Sequence, residues 1–264
     1  MMIQKFIFKC ECLKSGDLEG LAGFDIYKLF TEHIKREALS REGSIKPFSI
    51  SPLRGKDLSL VDGKCRVKEG VAYSFGITGL NEEYVENLSD FADSLLYKEL
   101  QLGDALLRCQ GVRSLFKSPK SYLRFMTEAE VYDKIWFKLL TPLCMKVDDG
   151  VSRHPKPDIL MEKLLRKWNA LSDHFFPASD FKKIKIQRYR LMPEVYFGEG
   201  LSGSKGDWEF VFANGAGEDF RWMVNALARF ASLANLGDYT EKGMGQVIIR
   251  GSVVDHATGI KTQS

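Results

Sequence analysis

Residues equipped for chemistry gather in two places along this chain. The first is His33, followed by the cations Lys35, Arg36, Arg41 and Lys46. An imidazole titrates near neutrality and so suits either direction of proton transfer, while a neighbouring cation steadies a crowded oxyanion. The second is Asn235-Leu236-Gly237-Asp238-Tyr239-Thr240-Glu241-Lys242-Gly243-Met244-Gly245-Gln246-Val247, which combines flexible backbone, a hydroxyl and a cation. These are the parts of a phosphate-facing loop. A helix-capping glycine at Gly237 and a strand bulge would explain one or two of its glycines, but three with Thr240 among them less well.

Apolar periodicity shows what positions these groups. Met223, Leu227, Phe230, Ala231 and Ala234 recur at helical spacing before the loop, and Val247 to Ile249 read as a buried strand after it. The loop therefore joins a helix to a strand. Nucleotide-binding loops of the Walker and dinucleotide types run from strand to helix, so both are set aside. At the other end of the chain, Phe6, Phe8, Cys10 and Cys12 share one strand face, and Ile26, Phe30, His33 and Ile34 follow at helical spacing. The run Lys46 to Leu53, with Pro47 and Pro52, reads as a short edge strand. Val71 to Ile77 alternate, Leu88 to Leu95 return to helical spacing, and residues 104–116 form a weaker strand.

That order is βαββαβ, and it recurs. Ile135 to Met145 is strand-like, Leu160, Leu164, Trp168 and Leu171 mark a helix, and Phe181 to Met192 and Trp208 to Phe212 mark strands before the helix and strand flanking the loop. The fold class expected is α+β, with tandem ferredoxin-like (RRM-like, βαββαβ) domains at 1–120 and 130–252 and a flexible tail at 253–264. No aromatic-rich Lys/Arg-Gly-Phe signature of RNA-recognition modules occurs, which weakens a reading of RNA stacked on an open sheet face.

Composition narrows the class further. The net charge of +3 excludes a uniformly basic coat, so any nucleic-acid signal must lie in local concentration. Lys163, Arg166 and Lys167, then Lys182, Lys183, Lys185, Arg188 and Arg190, supply it in the second half. Strict alternation puts Lys183 and Lys185 on one strand face and Lys182, Arg188 and Arg190 on the other. The 5 cysteines are odd in number and scattered with no CxxC, which fits reduced cytoplasmic thiols and no structural zinc. No apolar run reaches the ~18 residues of a membrane span.

Four segments together resemble one family. They are Lys46-Pro47-Phe48-Ser49-Ile50-Ser51-Pro52-Leu53; Leu140-Thr141-Pro142 with Pro155-Lys156-Pro157 and the helix ending Arg166-Lys167-Trp168-Asn169; Gly200-Leu201-Ser202-Gly203; and the glycine-rich loop. In this order they are similar to the CRISPR-associated endoribonucleases of the repeat-associated mysterious protein (RAMP) superfamily, which cut precursor CRISPR RNA within each repeat. The resemblance implies metal-independent cleavage without a cofactor: the ribose 2′-hydroxyl attacks the adjacent phosphate, leaving a 2′,3′-cyclic phosphate and a 5′-hydroxyl.

It further implies that His33 is the general acid or base, with Tyr27 a family-style companion and Lys46 or Arg41 the stabilising cation. By spacing alone His33 would simply edge the stripe of Ile26 and Phe30. Tyr27 and His33 converge only where the helix bends or ends. The RNA-binding set it suggests is Lys35, Arg36, Arg153, Lys182, Lys185, Arg188, Arg190, Asn235, Gly237, Thr240, Lys242, Gly243 and Gly245. The other histidines, His154, His174 and His256, fall in a loop, at a helix end and in the tail. Two departures mark the loop: Asn235 stands where a glycine is common, and Asp238-Tyr239 where basic residues are. Asp238 facing a phosphate would repel it.

The expected partner is CRISPR repeat RNA, with an interference complex or a homodimer as further partners and no membrane. A non-catalytic RAMP subunit that coats guide RNA needs the loop and a basic face but no histidine. A two-histidine phosphoesterase needs paired His-x-Thr/Ser motifs, of which His256-Ala257-Thr258 alone fits.

Overall fold

The computed structural model describes residues 2–34, 45–56, 58, 60–115, 124, 126, 130–147, 150–152, 156–197, 201–254 and 261–263. Its first sheet is built from β1 (Gln4–Lys14), β3 (Phe48–Gly55), β5 (Ala72–Gly79), β6 (Glu99–Leu102) and β7 (Ala105–Leu115), in the order β3-β5-β1-β7-β6. Helices α1 (Gly23–His33) and α2 (Glu82–Leu95) cover one face. A small pair, β2 (Gly16–Glu19) and β4 (Lys64–Val67), sits beside them. The second sheet uses β8 (Lys134–Leu139), β11 (Ile184–Phe197), β12 (Leu201–Phe212), β13 (Val247–Val254) and β14 (Lys261–Gln263), ordered β11-β12-β8-β13-β14. Its helices are α3 (Pro157–Leu171) and α4 (Glu218–Ala234), and β9 (Lys146–Val147) pairs with β10 (Gly150–Val151). Taking β1, β3, β5 and β7, or β8, β11, β12 and β13, each sheet has the ferredoxin-like arrangement, with its first and third strands central.

Local chemistry accounts for the elements. Phe6, Phe8, Cys10 and Cys12 are all buried under α1 and α2, as the alternation of β1 requires. Asn81 caps α2 by accepting the Tyr84 N–H, and Pro157 opens α3 where its missing N–H costs nothing. In β3 the register shifts between Ser51 and Arg54, around Pro52, so the proline falls at a bulge of an outer strand.

Three expectations need correction. The strand expected over Ile135 to Met145 ends at Leu139, because the chain turns at Thr141 and Pro142; only isolated bridges at Leu143 and Cys144 continue beyond. Within the expected tail at 253–264, Val253 and Val254 extend β13 and Lys261–Gln263 pairs back on it, while 255–260 lie outside the described residues. Neighbouring β-branched residues of this kind favour extended backbone. Finally, β11 carries a bulge between Ile186 and Arg188 that breaks its alternation. Lys185, Arg188 and Arg190 lie opposite Val211, Glu209 and Asp207, which share the sheet face away from buried Trp208 and Phe210. All three cations therefore occupy one face, and Lys182 and Lys183 belong to a 3-10 turn ahead of the strand.

Candidate nucleic-acid interface

The glycine-rich loop is fixed by the crowding around it. Gly245 has φ +67, and a Cβ there would stand 1.7 Å from the Leu236 carbonyl oxygen. Asn235, at φ 59 and ψ 171, holds a backbone region that is almost exclusive to glycine and costs about 1–3 kcal/mol elsewhere. Its side-chain amide offsets that strain by donating to the carbonyls of Ile50 at 2.7 Å and Thr240 at 3.3 Å. The Ile50 bond crosses from the second unit to the first, as does the Ser49 hydroxyl donating to Leu233 O. On the same side Gly23, the first residue of α1, lies so close that a Cβ there would meet Lys242 O at 2.3 Å. One side of the loop thus packs the two units together.

Its other side opens on a cleft of about 400 Å³. Lys46 of the first unit borders it, facing Lys163, Arg166 and Lys167 from α3 and Lys146 from β9, with Gly237, Asp238, Tyr239, Thr240 and Glu241 along the loop. Among the described residues, five cationic side chains stand against two carboxylates, and one of those is internally neutralised. Asp238 Oδ2 accepts from Lys163 Nζ at 2.6 Å and from the Lys146 backbone N–H at 2.6 Å. The repulsion expected of Asp238 toward a phosphate is therefore answered by an ion pair that also anchors the loop. Lys167 Nζ donates to Ala234 O at 3.1 Å and Thr240 Oγ1 at 3.0 Å. Burial pulls its pKa down to about 8, against a smaller opposing pull from Glu241.

The sequence candidates separate in space. Lys46, Gly237 and Thr240 line the cleft. Asn235, Gly243 and Gly245 are buried behind it, and Lys242 turns its ammonium over the Phe24 and Tyr239 rings. Tyr27 is half-buried, stacked between Phe24 and Phe48 with centroids 6.1 Å from each. Burial, then the Glu241 carboxylate, raises its hydroxyl above the ordinary range, so it stays a hydrogen-bond donor. His33 is exposed at the end of α1, its ring edge-on to Phe91 of α2 at 5.2 Å.

Helix α1 runs unbroken between Tyr27 and His33, which puts them about 9 Å apart along its axis. Lys185, Arg188 and Arg190 lie on the open face of the second sheet, where Arg188 and Arg190 pair with Glu209 and Asp207. Lys35, Arg36, Arg41 and Arg153 are outside the described residues.

Sequence reasoning did not single out Lys146, and it named Lys163, Arg166 and Lys167 as basic concentration without assigning them to the loop's site. For the last three the signal was present: positions 163, 166 and 167 share one face of a helix. Lys146 reaches the cleft only through the β9 turn, which carries no local mark.

Residues 137–247 match the family CRISPR-associated endoribonuclease Cas6. None of the curated proteins matches this chain. Among solved structures, a Cas6 product complex shares the fold at a TM-score of 0.74 and 18% identity, over 94% of this chain and 99% of the other. Thermus thermophilus Cas6 gives 0.64 and 18%, over 94% and 98%. A Cas6-related protein of Pyrococcus furiosus gives 0.65 and 15%, over 94% and 98%. The matched segment contains α3, the loop and thus most of the cleft's cations. No helix among the described residues is long and apolar enough to cross a membrane.

Proposed function

We propose that this chain, a member of the Cas6 family, cuts precursor CRISPR RNA within the repeat by metal-independent chemistry. The observation that carries the reading is the cationic cleft at the junction, where Lys46 of one unit faces the α3 cations and glycine-rich loop of the other. Such a cleft fits a phosphodiester backbone, because each phosphate that a Lys or Arg neutralises releases a counterion condensed on the RNA and so strengthens binding. Support comes also from the similar structures, which include Cas6 product and substrate-mimic complexes and a RAMP protein binding different RNA substrates.

In the proposed reaction a base removes the 2′-hydroxyl proton, the oxygen attacks the adjacent phosphate, and an acid protonates the leaving 5′-oxygen. His33 takes one of these proton-transfer roles, and a histidine-to-alanine variant is among the similar Cas6 structures. Lys46 supplies charge to the phosphate, with Arg41 as the second candidate. Tyr27, whose hydroxyl stays protonated, donates a hydrogen bond near the loop. Lys146, Lys163, Arg166 and Lys167 hold the strand.

A second reading has its own observation. His33 points at Phe91 and does not line the cleft, which suits a non-catalytic RAMP subunit that binds guide RNA. Incubation with a CRISPR repeat RNA in excess EDTA, followed by analysis of product ends, separates the two. Cleavage is expected to persist with cyclic-phosphate ends, and His33→Ala to lose about 10²–10⁴ in rate. Loss with chelator or a 3′-hydroxyl product rejects the chemistry. Tight binding by the parent with no cutting selects the subunit reading.

A further inference from the structure

Helices α3 and α4 cover one face of the second sheet, where Trp208 and Phe210 are buried; the residues that alternate with these make up the other face. Directly opposed positions there form a row across four strands, Arg188, Glu209, Trp136 and Arg250. Lys134 and Lys138 of β8 stand in the rows on either side. A cleft of about 430 Å³ opens over the central row and over Lys134 and Ser252 beside it. It shares no lining residue with the loop cleft.

Two features set the chemistry of this face. The first is charge. In the three rows that cross Lys134, Trp136 and Lys138, the carboxylates of Glu209 and Asp207 are already paired, with Arg188 at 3.5 Å and Arg190 at 3.3 Å. Lys134, Lys138, Lys185 and Arg250 stand there in addition, so among the described residues these rows carry more positive charge than the net +3 of the whole chain. The second feature is an indole on the middle strand. Trp136 is half-buried, with the Arg250 guanidinium 5.4 Å over its ring and its Nε1 3.4 Å from Asp207 Oδ1. Lys134 and Lys138 flank it on the same face, about 7 Å away along the strand in each direction. A planar π surface between two cations is the composition that holds an unpaired base and its neighbouring phosphates. A duplex keeps its base faces hidden, and a protein partner would have to bury these charges at the centre of the contact, where interfaces are depleted of them.

We propose that the outer face of the second sheet binds single-stranded RNA: an unpaired base stacks on Trp136 and Arg250, while Lys134 and Lys138 take the phosphates on either side. This site rests on the RNA-binding reading above and deepens it, because stacking separates unpaired segments of a precursor from paired ones, which the cations of the loop cleft alone do not. The Lys/Arg-Gly-Phe signature of RNA-recognition modules is missing from the sequence, and its place as a stacking surface is taken by Trp136 and a guanidinium from the neighbouring strand.

Binding is measured by fluorescence anisotropy for an RNA about ten nucleotides long without self-complementarity, within the span of such sites, and for the same strand annealed to its complement. Intrinsic tryptophan emission is followed in the same titrations, in which Trp168 and Trp208 are shielded by burial. The parent chain is expected to prefer the single strand and to lose tryptophan emission as a base stacks on the indole. Trp136→Leu is expected to weaken single-strand binding about tenfold, to leave duplex binding unchanged and to abolish the quenching, while Trp136→Phe keeps most of the affinity. Arg250→Gln and Lys138→Gln, at exposed positions that do not disturb the half-buried indole, are each expected to reduce the slope of log affinity against log salt by about 0.7. Tryptophan emission unmoved by saturating single strand, equal losses for strand and duplex in Trp136→Leu, or unchanged slopes in both charge-removing variants would overturn the platform. Sedimentation in which Arg250→Gln turns a dimer into a monomer assigns the face to a second copy and overturns it equally. A parent chain that binds no repeat RNA overturns the RNA reading itself, an outcome visible before any variant is made.

Discussion

The two units use the same connection, from second helix to last main strand, in opposite surroundings. In the first unit the chain leaves α2 and forms the β6–β7 hairpin at the far edge of the sheet. There Tyr97 adopts φ 63 while 72% exposed. In the second unit the chain leaves α4 and turns into the junction, where Leu236 and Met244 are wholly buried and Gly245 has no room for a Cβ. Open space lets a tyrosine hold a positive φ, whereas the crowded loop needs glycine. The glycines thus mark close packing first, and the cationic cleft is built by what lies around them.

If crowding is the cause, Gly245→Ala will cost the most. We expect about 4 kcal/mol or more by chemical denaturation, since backbone must shift at Leu236. A loss below about 1 kcal/mol would return the glycines to flexibility.

A smaller effect comes from the ion pair that neutralises the loop. Lys163→Met is expected to cost about 1–2 kcal/mol and to weaken RNA binding, because Asp238, held then by the Lys146 N–H alone, is left partly buried without its counter-ion toward the cleft. Adding Asp238→Asn recovers part of both losses; additivity of the two substitutions would dissolve the pair.

The mildest change is with pH. Lys167 has a folded pKa below its ordinary value, so its charge is lost as pH rises through about 8. RNA affinity is accordingly expected to fall between pH 7 and 9, and Lys167→Arg to flatten that fall, as read by anisotropy. The sign for stability is opposite: the unfolded chain binds the extra proton between about 8 and 10.5, so this group's contribution to stability rises with pH there.

The fold was legible wherever one face is buried. The alternation of Phe6 to Cys12 and the helical stripe through Phe230 follow from periodicity alone. Where a single residue resets the pattern, it was not: the bulge after Ile186 turned Arg188 and Arg190 onto the face of Lys185. Of the site, Thr240 and Gly237 came from the loop's composition and Lys46 from a resemblance. The meeting of Lys46 with Lys146 and α3 depends on how two units dock, a contact between residues 100 or more positions apart that no local window contains.

The bonds from Asn235 to Ile50 and from Ser49 to Leu233 have a further consequence, for aggregation. β3 ends its sheet, and an outer strand offers unpaired backbone groups to any passing chain. Here one of its carbonyls is already occupied by a carboxamide from the other unit, and α4 and the loop pack along it. A first unit expressed alone would carry that strand uncovered, and would invite its own copies to stack where the glycine-rich loop belongs.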